Sequence, residues 1–128
     1  MNNLEQIFHI WQALYAKDQD PKLVIEEFFH EEYTQSINST ILNRSEYIIH
    51  VMEQRNNIQN MEFECKIHIS QNNKLFIIYD AKGTNTQGDE ILAEAISYFE
   101  FKDQKIFKIH GQVLLLKGNP LDVDMKQK

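Results

Sequence analysis

The sequence lacks most of the features that would place it in a specialised class of proteins. Cys65 is its single cysteine, so no internal disulfide can form and nothing requires an oxidising compartment. Two prolines and four glycines in 128 residues are too few for a fibrous or low-complexity chain. No apolar run approaches the roughly 18 residues of a membrane helix, and the first residues show no signal peptide. We therefore expect a cytoplasmic protein with no membrane partner.

Basic residues and metal-binding patterns are also scarce. The 13 lysines and arginines are outnumbered by 19 acidic residues, which leaves a net charge of −6. Proteins that bind nucleic acids usually present a basic stripe to the phosphates, so we expect no nucleic-acid partner. The five histidines show no metal-ligand spacing, and there is no phosphate-binding loop or nucleophile elbow. The sequence predicts neither a metal nor a cofactor.

What is present is the composition of one ordinary globular domain. Apolar residues make up 42% and charged residues 25% of the chain, and the length suits a single hydrophobic core. The residues after Asn119 and Pro120 are mostly polar, as is typical of a terminus that frays. We predict a single domain over residues 1–118 and a polar C-terminal tail over residues 119–128.

Three N-terminal segments repeat apolar residues at helical spacing. The first ends near Lys17, and the second begins at Asp20 and Pro21, a capping residue followed by a residue suited to the first helical position. The third begins at a capping box over residues 43–46 and ends near residues 56–57, where asparagines tolerate the left-handed conformation. The inward-facing residues predicted for the three helices are Leu4, Ile7, Phe8, Trp11, Leu14 and Tyr15; Val24, Ile25, Phe28 and Phe29; and Ile48, Val51, Met52 and Arg55.

After residue 60 the apolar period changes to two, which indicates strands with one buried face. The predicted strands cover residues 32–37, 63–69, 75–81, 90–102 and 105–116, joined by turns at 71–73, 83–89 and 103–104. The residues predicted to share the inward faces of the long strands are Phe63, Cys65, Ile67 and Ile69; Leu75, Ile77 and Tyr79; Ile91, Ala93, Ala95, Ser97, Phe99 and Phe101; and Phe107, Ile109, Gly111, Val113 and Leu115. Helices followed by antiparallel strands predict an α+β fold.

Three segments carry a resemblance to a known family: residues 29–33, residues 41–48 and the aromatic hairpin at residues 98–106. In this order the chain resembles the nuclear transport factor 2-like superfamily, and within it the SnoaL-like branch. The resemblance implies a cone-shaped, curved antiparallel sheet packed against three N-terminal helices around one pocket. It also implies dimerisation through the sheet. Such a fold indicates where a site lies but not which reaction it performs.

The carboxylates of the family's best-known reaction have no counterparts here. Ketosteroid isomerases of this family carry a general base near the end of the first strand. The resemblance places Gln35, Ser36 and Asn38 in that region of this chain. Ser97 stands where the resemblance places a protonated aspartate, and Ile10 stands where it places a tyrosine. The isomerase mechanism is therefore not supported.

Other acid–base groups are weak candidates. SnoaL-like cyclases carry an acid near the end of the last strand, where this chain offers only His110, and strand parity directs His110 outward. Epoxide hydrolases of the family need two aspartates bridged by an arginine, but Asp80 is predicted to lie on the surface. Glu94 would be a base if it faced the pocket, whereas the parity it shares with Leu92 and Ile96 places it equally well at a subunit interface.

Aromatic residues with a few polar neighbours are the best candidates for lining a pocket. The predicted ligand-binding residues are Trp11, Tyr15, Tyr33, Gln35, Tyr47, Tyr79, Ser97 and Phe99. Two functions follow. In the first, a SnoaL-like protein binds a small hydrophobic or polycyclic ligand. It is then either an enzyme of isomerase, cyclase or hydrolase type or a binding protein that catalyses no reaction. The alternative is a non-catalytic homodimeric interaction module that uses the sheet face. An inward-facing Glu94 favours an enzyme, and an outward-facing Glu94 favours the module.

Overall fold

A computed structural model shows three helices and one six-stranded sheet, and it describes residues 2–120. The predicted polar tail at residues 119–128 therefore lies almost entirely outside the described residues. The elements are α1 (Asn3–Tyr15), α2 (Pro21–Phe28), β1 (Phe29–Ile37), β2 (Thr40–Asn43), α3 (Arg44–Asn57), β3 (Ile58–Gln71), β4 (Lys74–Asn85), β5 (Glu90–Lys102) and β6 (Lys105–Lys117). The strand order is β2-β1-β6-β5-β4-β3, and the helices cover the inner face of the sheet. The α+β prediction is confirmed.

The helix starts follow from the predicted capping residues. The Asp20 side chain accepts a hydrogen bond from the Lys22 backbone nitrogen, with Pro21 at the first helical position. At α3, Asn43 and Glu46 each accept a hydrogen bond from the other's backbone nitrogen, both 2.9 Å long. The predicted end of α3 is right but its reason is wrong. Ile58 is extended, with φ −127°, because the helix runs directly into β3, so no left-handed asparagine is needed.

The sheet is mixed, which corrects the prediction of an antiparallel sheet. β1 lies parallel to β6, whereas the other neighbouring strands are antiparallel. Periodicity locates a strand but does not choose its partner. Here β1 follows α2 directly, enters beside β6, and turns back through Asn38 and Ser39, with φ of 51° and 67°, into β2. The short strand β2 was not predicted.

Two bulges reverse the predicted strand faces. In β3, Lys66 is the extra residue between the pairs formed by Cys65 and Ile67, so Ile67 and Ile69 face outward, and Ile69 is 67% exposed. In β6, Phe107 is the extra residue. Ile106 therefore takes the buried position, and Phe107 packs against the His30 ring with 5.3 Å between centroids. The inward predictions for Ile67, Ile69 and Phe107 were wrong.

The predicted turn at 83–89 was too long, because Gly83 lies within β4. Gly83 is required there by a close contact, since a Cβ atom would lie 2.6 Å from Ile58 Cγ2 and 3.0 Å from the Gln59 carbonyl oxygen. Gly88, with φ +83°, is the turn glycine. The strand after this turn, β5, has the predicted bounds, and its odd-numbered residues from Ile91 to Phe101 are buried.

The helices pack on the inner face with one change from the predicted orientations. α1 and α2 bury Ile7, Ile10, Leu14, Val24 and Ile25, close to expectation. α3 is rotated, so that His50 and Val51 are buried while Met52 is exposed, which corrects the prediction for Met52. No helix within residues 2–120 is long and apolar enough to cross a membrane.

Candidate functional site

A cavity of about 460 Å³ lies between α1, α3 and the concave face of the sheet. Its volume falls within the roughly 300–1,000 Å³ typical of small-molecule sites. Asn38, Lys82 and Pro120 are exposed and line it, and they mark its mouth. The apolar and aromatic lining comprises Trp11, Tyr15, Ile37, Tyr47, Ile58, Met61, Phe63, Tyr79, Ala81, Ile91, Ala93, Ala95, Phe99, Ile109, Val113 and Leu115.

Eight residues were predicted to bind a ligand, and the structure brings all but Tyr33 to the cavity wall. The predicted residues that line the cavity are Trp11, Tyr15, Gln35, Tyr47, Tyr79, Ser97 and Phe99. Tyr33 is buried behind the wall, and its hydroxyl donates a 2.7 Å hydrogen bond to Gln35 Oε1. Contact between these residues and a ligand stays a prediction.

Trp11 is the centre of the aromatic wall. Its ring stacks on Phe63 with 4.6 Å between centroids, lies 4.5 Å from Tyr79, and meets Phe99 edge-on at 6.1 Å. Edge-on and offset contacts are the favourable geometries for such rings. Trp11 is also the only tryptophan in the chain, so the intrinsic tryptophan fluorescence of the protein reports on this cavity.

The tyrosine hydroxyls of the site are neutral at physiological pH. Burial raises the pKa of Tyr79 to about 12, and burial likewise raises the pKa values of Tyr15, Tyr33 and Tyr47 well above their ordinary range. The Tyr15 hydroxyl donates a 2.6 Å hydrogen bond to Gln54 Oε1. These hydroxyls can donate hydrogen bonds. Because they stay protonated near neutral pH, they cannot serve as general bases there.

Two polar side chains of the wall are buried with hydrogen-bonding capacity to spare. Gln35 is 3% exposed, and its Nε2 has no hydrogen-bond partner within residues 2–120. The buried Ser97 hydroxyl makes no well-formed hydrogen bond in the same part of the chain, although it interacts with the Tyr79 hydroxyl and moderates the effect of burial on the Tyr79 pKa. An unsatisfied buried donor costs about 1–3 kcal/mol. Such groups are where a ligand or a water molecule would bind.

Gly111 leaves the space in which the Ser97 hydroxyl lies. A Cβ atom on Gly111 would lie 2.5 Å from both Ser97 Oγ and the Ile96 carbonyl oxygen. We expect Gly111→Ala to lower the free energy of unfolding by about 1–3 kcal/mol, because the backbone of β5 must shift. Urea denaturation measures this change, with Gln112→Ala, at the exposed neighbouring position of β6, as the comparison. Equal stability of Gly111→Ala and the wild type would contradict the close contact.

The weak catalytic candidates lie on the outer face of the sheet. Glu94 Oε2 is 2.7 Å from Lys66 Nζ, which also lies 3.1 Å from Asp80 Oδ1. His110 is exposed on β6, opposite Tyr98 in the register. None of these groups lines the cavity, and residues 2–120 contain no group of three side chains suited to a metal ion. The cavity lining within the described residues also contains no aspartate or glutamate.

His50 and Gln54 line the cavity from α3 and were missed, because the face of α3 was assigned from its aliphatic residues. The inward face instead carries Tyr47, His50, Val51 and Gln54, one helical turn apart. A stripe of aromatic and amide side chains at this spacing was the available signal. It marks a helix that borders a cavity rather than a solid core.

Comparisons with known proteins identify the fold. No protein-family model matches the chain, and no curated protein matches it. Solved structures do match. A protein assigned as a SnoaL-like polyketide cyclase, from Jannaschia sp., has a TM-score of 0.70 at 10% identity, over 87% of this chain and 84% of that one. IdmH from Streptomyces antibioticus, assigned as a polyketide cyclase, has a TM-score of 0.72 at 11% identity, over 88% and 92%.

A third match is a protein from Catenulispora acidiphila with a ketosteroid isomerase-like fold, solved in complex with trimethylamine. It has a TM-score of 0.65 at 12% identity, over 82% of both chains. Identities this low establish a shared fold and no shared activity. The chain has the nuclear transport factor 2-like fold, in the form found in SnoaL-like proteins.

Proposed function

We propose that the protein binds a small hydrophobic or polycyclic molecule in the cavity beneath Trp11. The observation that carries this proposal is a cavity of about 460 Å³ whose wall is aromatic and aliphatic, with Gln35 and Ser97 as buried polar groups. This combination of apolar walls and a few convergent polar groups is typical of small-molecule sites. The assignment of two structural neighbours as polyketide cyclases supports a polycyclic ligand. The cytoplasmic location predicted from the sequence is part of this proposal.

Binding is better supported than a reaction that uses a carboxylate base. With no aspartate or glutamate in the described lining, proton transfer would depend on His50, the only imidazole there. Histidine is the side chain most often used for proton transfer near neutral pH. The neutral tyrosine hydroxyls, Gln35 and Ser97 would orient the ligand by donating hydrogen bonds.

Trp11 fluorescence tests the proposal directly. The protein is titrated with fluorenone, anthraquinone and progesterone, and the emission of Trp11 is followed. We expect saturable quenching or a spectral shift with at least one compound, because a bound ring system would contact the indole. Unchanged emission with all three compounds up to their solubility limits would contradict a polycyclic-binding site.

A homodimer formed through the outer sheet face is a second candidate, favoured by an apolar patch. The register places Ile67, Ile78 and Ile96 side by side on three neighbouring strands. The exposed large apolar residues of this sheet are Ile41, Ile67, Ile69, Phe76, Ile96, Leu114 and Leu116. Large apolar patches are uncommon on monomers. Glu94 also faces outward, which is the orientation expected of an interaction module rather than of an enzyme.

We expect Ile96→Lys to convert a dimer into a monomer. Ile96 is 44% exposed at the centre of the patch, and burying an unpaired ammonium in an interface is strongly unfavourable. The molar mass in solution, measured by light scattering, should fall by half. Leu23→Lys is the control, because Leu23 is 62% exposed on α2, away from the sheet. A wild-type protein that is monomeric at high concentration would contradict this candidate.

A further inference from the structure

Resting on the proposed binding function, we propose that the side-chain amide nitrogen of Gln35 recognises the ligand. We further infer that the ligand is an uncharged, mostly apolar molecule carrying an acceptor oxygen, such as a carbonyl or an ether oxygen. Gln35 lies on β1, opposite Leu42 of β2 and Ile109 of β6. Its side chain lines the cavity.

The hydrogen bond from Tyr33 fixes which way the Gln35 amide points. The Tyr33 hydroxyl donates its single hydrogen to Gln35 Oε1 at 2.7 Å. If the amide were turned around, its NH₂ group would face the hydroxyl, and the hydroxyl hydrogen would lose this acceptor. The rings of Phe29 and Tyr47 pack against Tyr33 at 4.9 Å and 5.6 Å. The observed orientation therefore satisfies the hydroxyl and leaves Nε2 as a free donor.

A free donor in an apolar wall selects for an acceptor. The Gln35 amide nitrogen is buried and has no partner within residues 2–120, so an acceptor oxygen on a ligand would gain a hydrogen bond that the empty site does not make. An ordered water is the competing occupant. The preference for a ligand with an acceptor over one without it measures this contact.

The rest of the wall selects against charge. A cationic ligand would find no carboxylate in the described lining. An anionic ligand would find an ammonium group only at the mouth, where Lys82 is exposed. Burying an unpaired charge is far more costly than burying a carbonyl group. An uncharged ligand is therefore the class that the wall accommodates.

Fluorenone and fluorene test this inference as a matched pair. The two molecules share one tricyclic skeleton, in which a carbonyl group of fluorenone replaces a methylene group of fluorene. Their affinities are measured for the wild type, for Tyr33→Phe and for the double variant Tyr33→Phe/Gln35→Leu. The double variant removes both hydrogen-bonding partners together, which avoids stranding the buried Tyr33 hydroxyl. The side-chain NH₂ signals of Gln35 in ¹⁵N-labelled protein provide a direct second measurement.

We expect the wild type to prefer fluorenone by about tenfold, the effect of one good hydrogen bond. Tyr33→Phe keeps the Gln35 donor but no longer holds its orientation, so the preference should persist at a reduced size. The double variant should bind the two molecules equally. The Gln35 NH₂ signals should move with fluorenone and not with fluorene. Equal binding of the two molecules by the wild type would overturn this inference alone. Failure of fluorene, fluorenone, anthraquinone and progesterone alike to perturb Trp11 would overturn the proposed function and this inference with it.

Discussion

Ala95→Phe is expected to abolish fluorenone binding while leaving the protein folded. Ala95 is buried on the inner face of β5, between Tyr79 of β4 and Val113 of β6 in the register, and it lines the cavity. A phenyl ring at this position would occupy the space that the ligand needs. We expect at least about a thirtyfold loss of affinity, equivalent to about 2 kcal/mol. Because the ring enters existing space, the cost to folding should stay within about 1–3 kcal/mol.

Gln112→Phe is the matched control for this variant. It introduces the same side chain on β6, where Gln112 is exposed and paired with Ile96 on the outer face. Titrations followed by Trp11 emission should give the wild-type affinity for Gln112→Phe. They should show no saturable change for Ala95→Phe. Equal affinity of both variants for fluorenone would show that the molecule binds outside the cavity.

Alkaline pH is expected to unfold the protein in one cooperative step. Burial raises the pKa values of Tyr15, Tyr33, Tyr47 and Tyr79 above the ordinary value of 10.0, to about 12 for Tyr79. Each unit of difference between the folded and unfolded states is worth about 1.4 kcal/mol. The four shifts act in the same direction, so ionising these tyrosines weakens a fold that is held by only about 5–15 kcal/mol.

The direction of the pH effect follows from proton binding. Above pH 10.0 the unfolded chain loses tyrosine protons that the folded chain retains up to about pH 12. Stability is therefore constant with respect to these groups below pH 10 and falls as the pH rises from 10 towards 12. Circular dichroism and tyrosinate absorbance, recorded together, should change in one step. Gradual tyrosine ionisation near pH 10 with the fold intact would show that water reaches these hydroxyls.

The strands were predictable where periodicity was uninterrupted. β5 carries no bulge between Ala93 and Glu100, and its bounds and buried face could be read directly from its alternation. β3 could not be read in this way, because Lys66 interrupts the alternation and places its ammonium group between Asp80 and Glu94. That contact involves two other strands, so local sequence contains no sign of it.

The aromatic part of the candidate site could be predicted from the sequence. Its residues lie at inward-facing positions of the strands or on the buried face of a helix. Trp11, Tyr79 and Phe99 could be placed in one cluster for this reason. Tyr33 has the same parity as Gln35 but supports it from behind, a distinction that depends on the depth of the cavity and not on the alternation. His50 was missed because the pattern of α3 was read as a solid core, whereas its inward face borders a cavity.

A crystal structure of the protein grown with fluorenone would test the central claim most directly. The account predicts electron density for the ring system inside the cavity, in contact with Trp11 and Phe99, with the carbonyl oxygen within hydrogen-bonding distance of Gln35 Nε2. An interior filled by those same side chains, with fluorenone absent or bound to the outer face of the sheet, would contradict it.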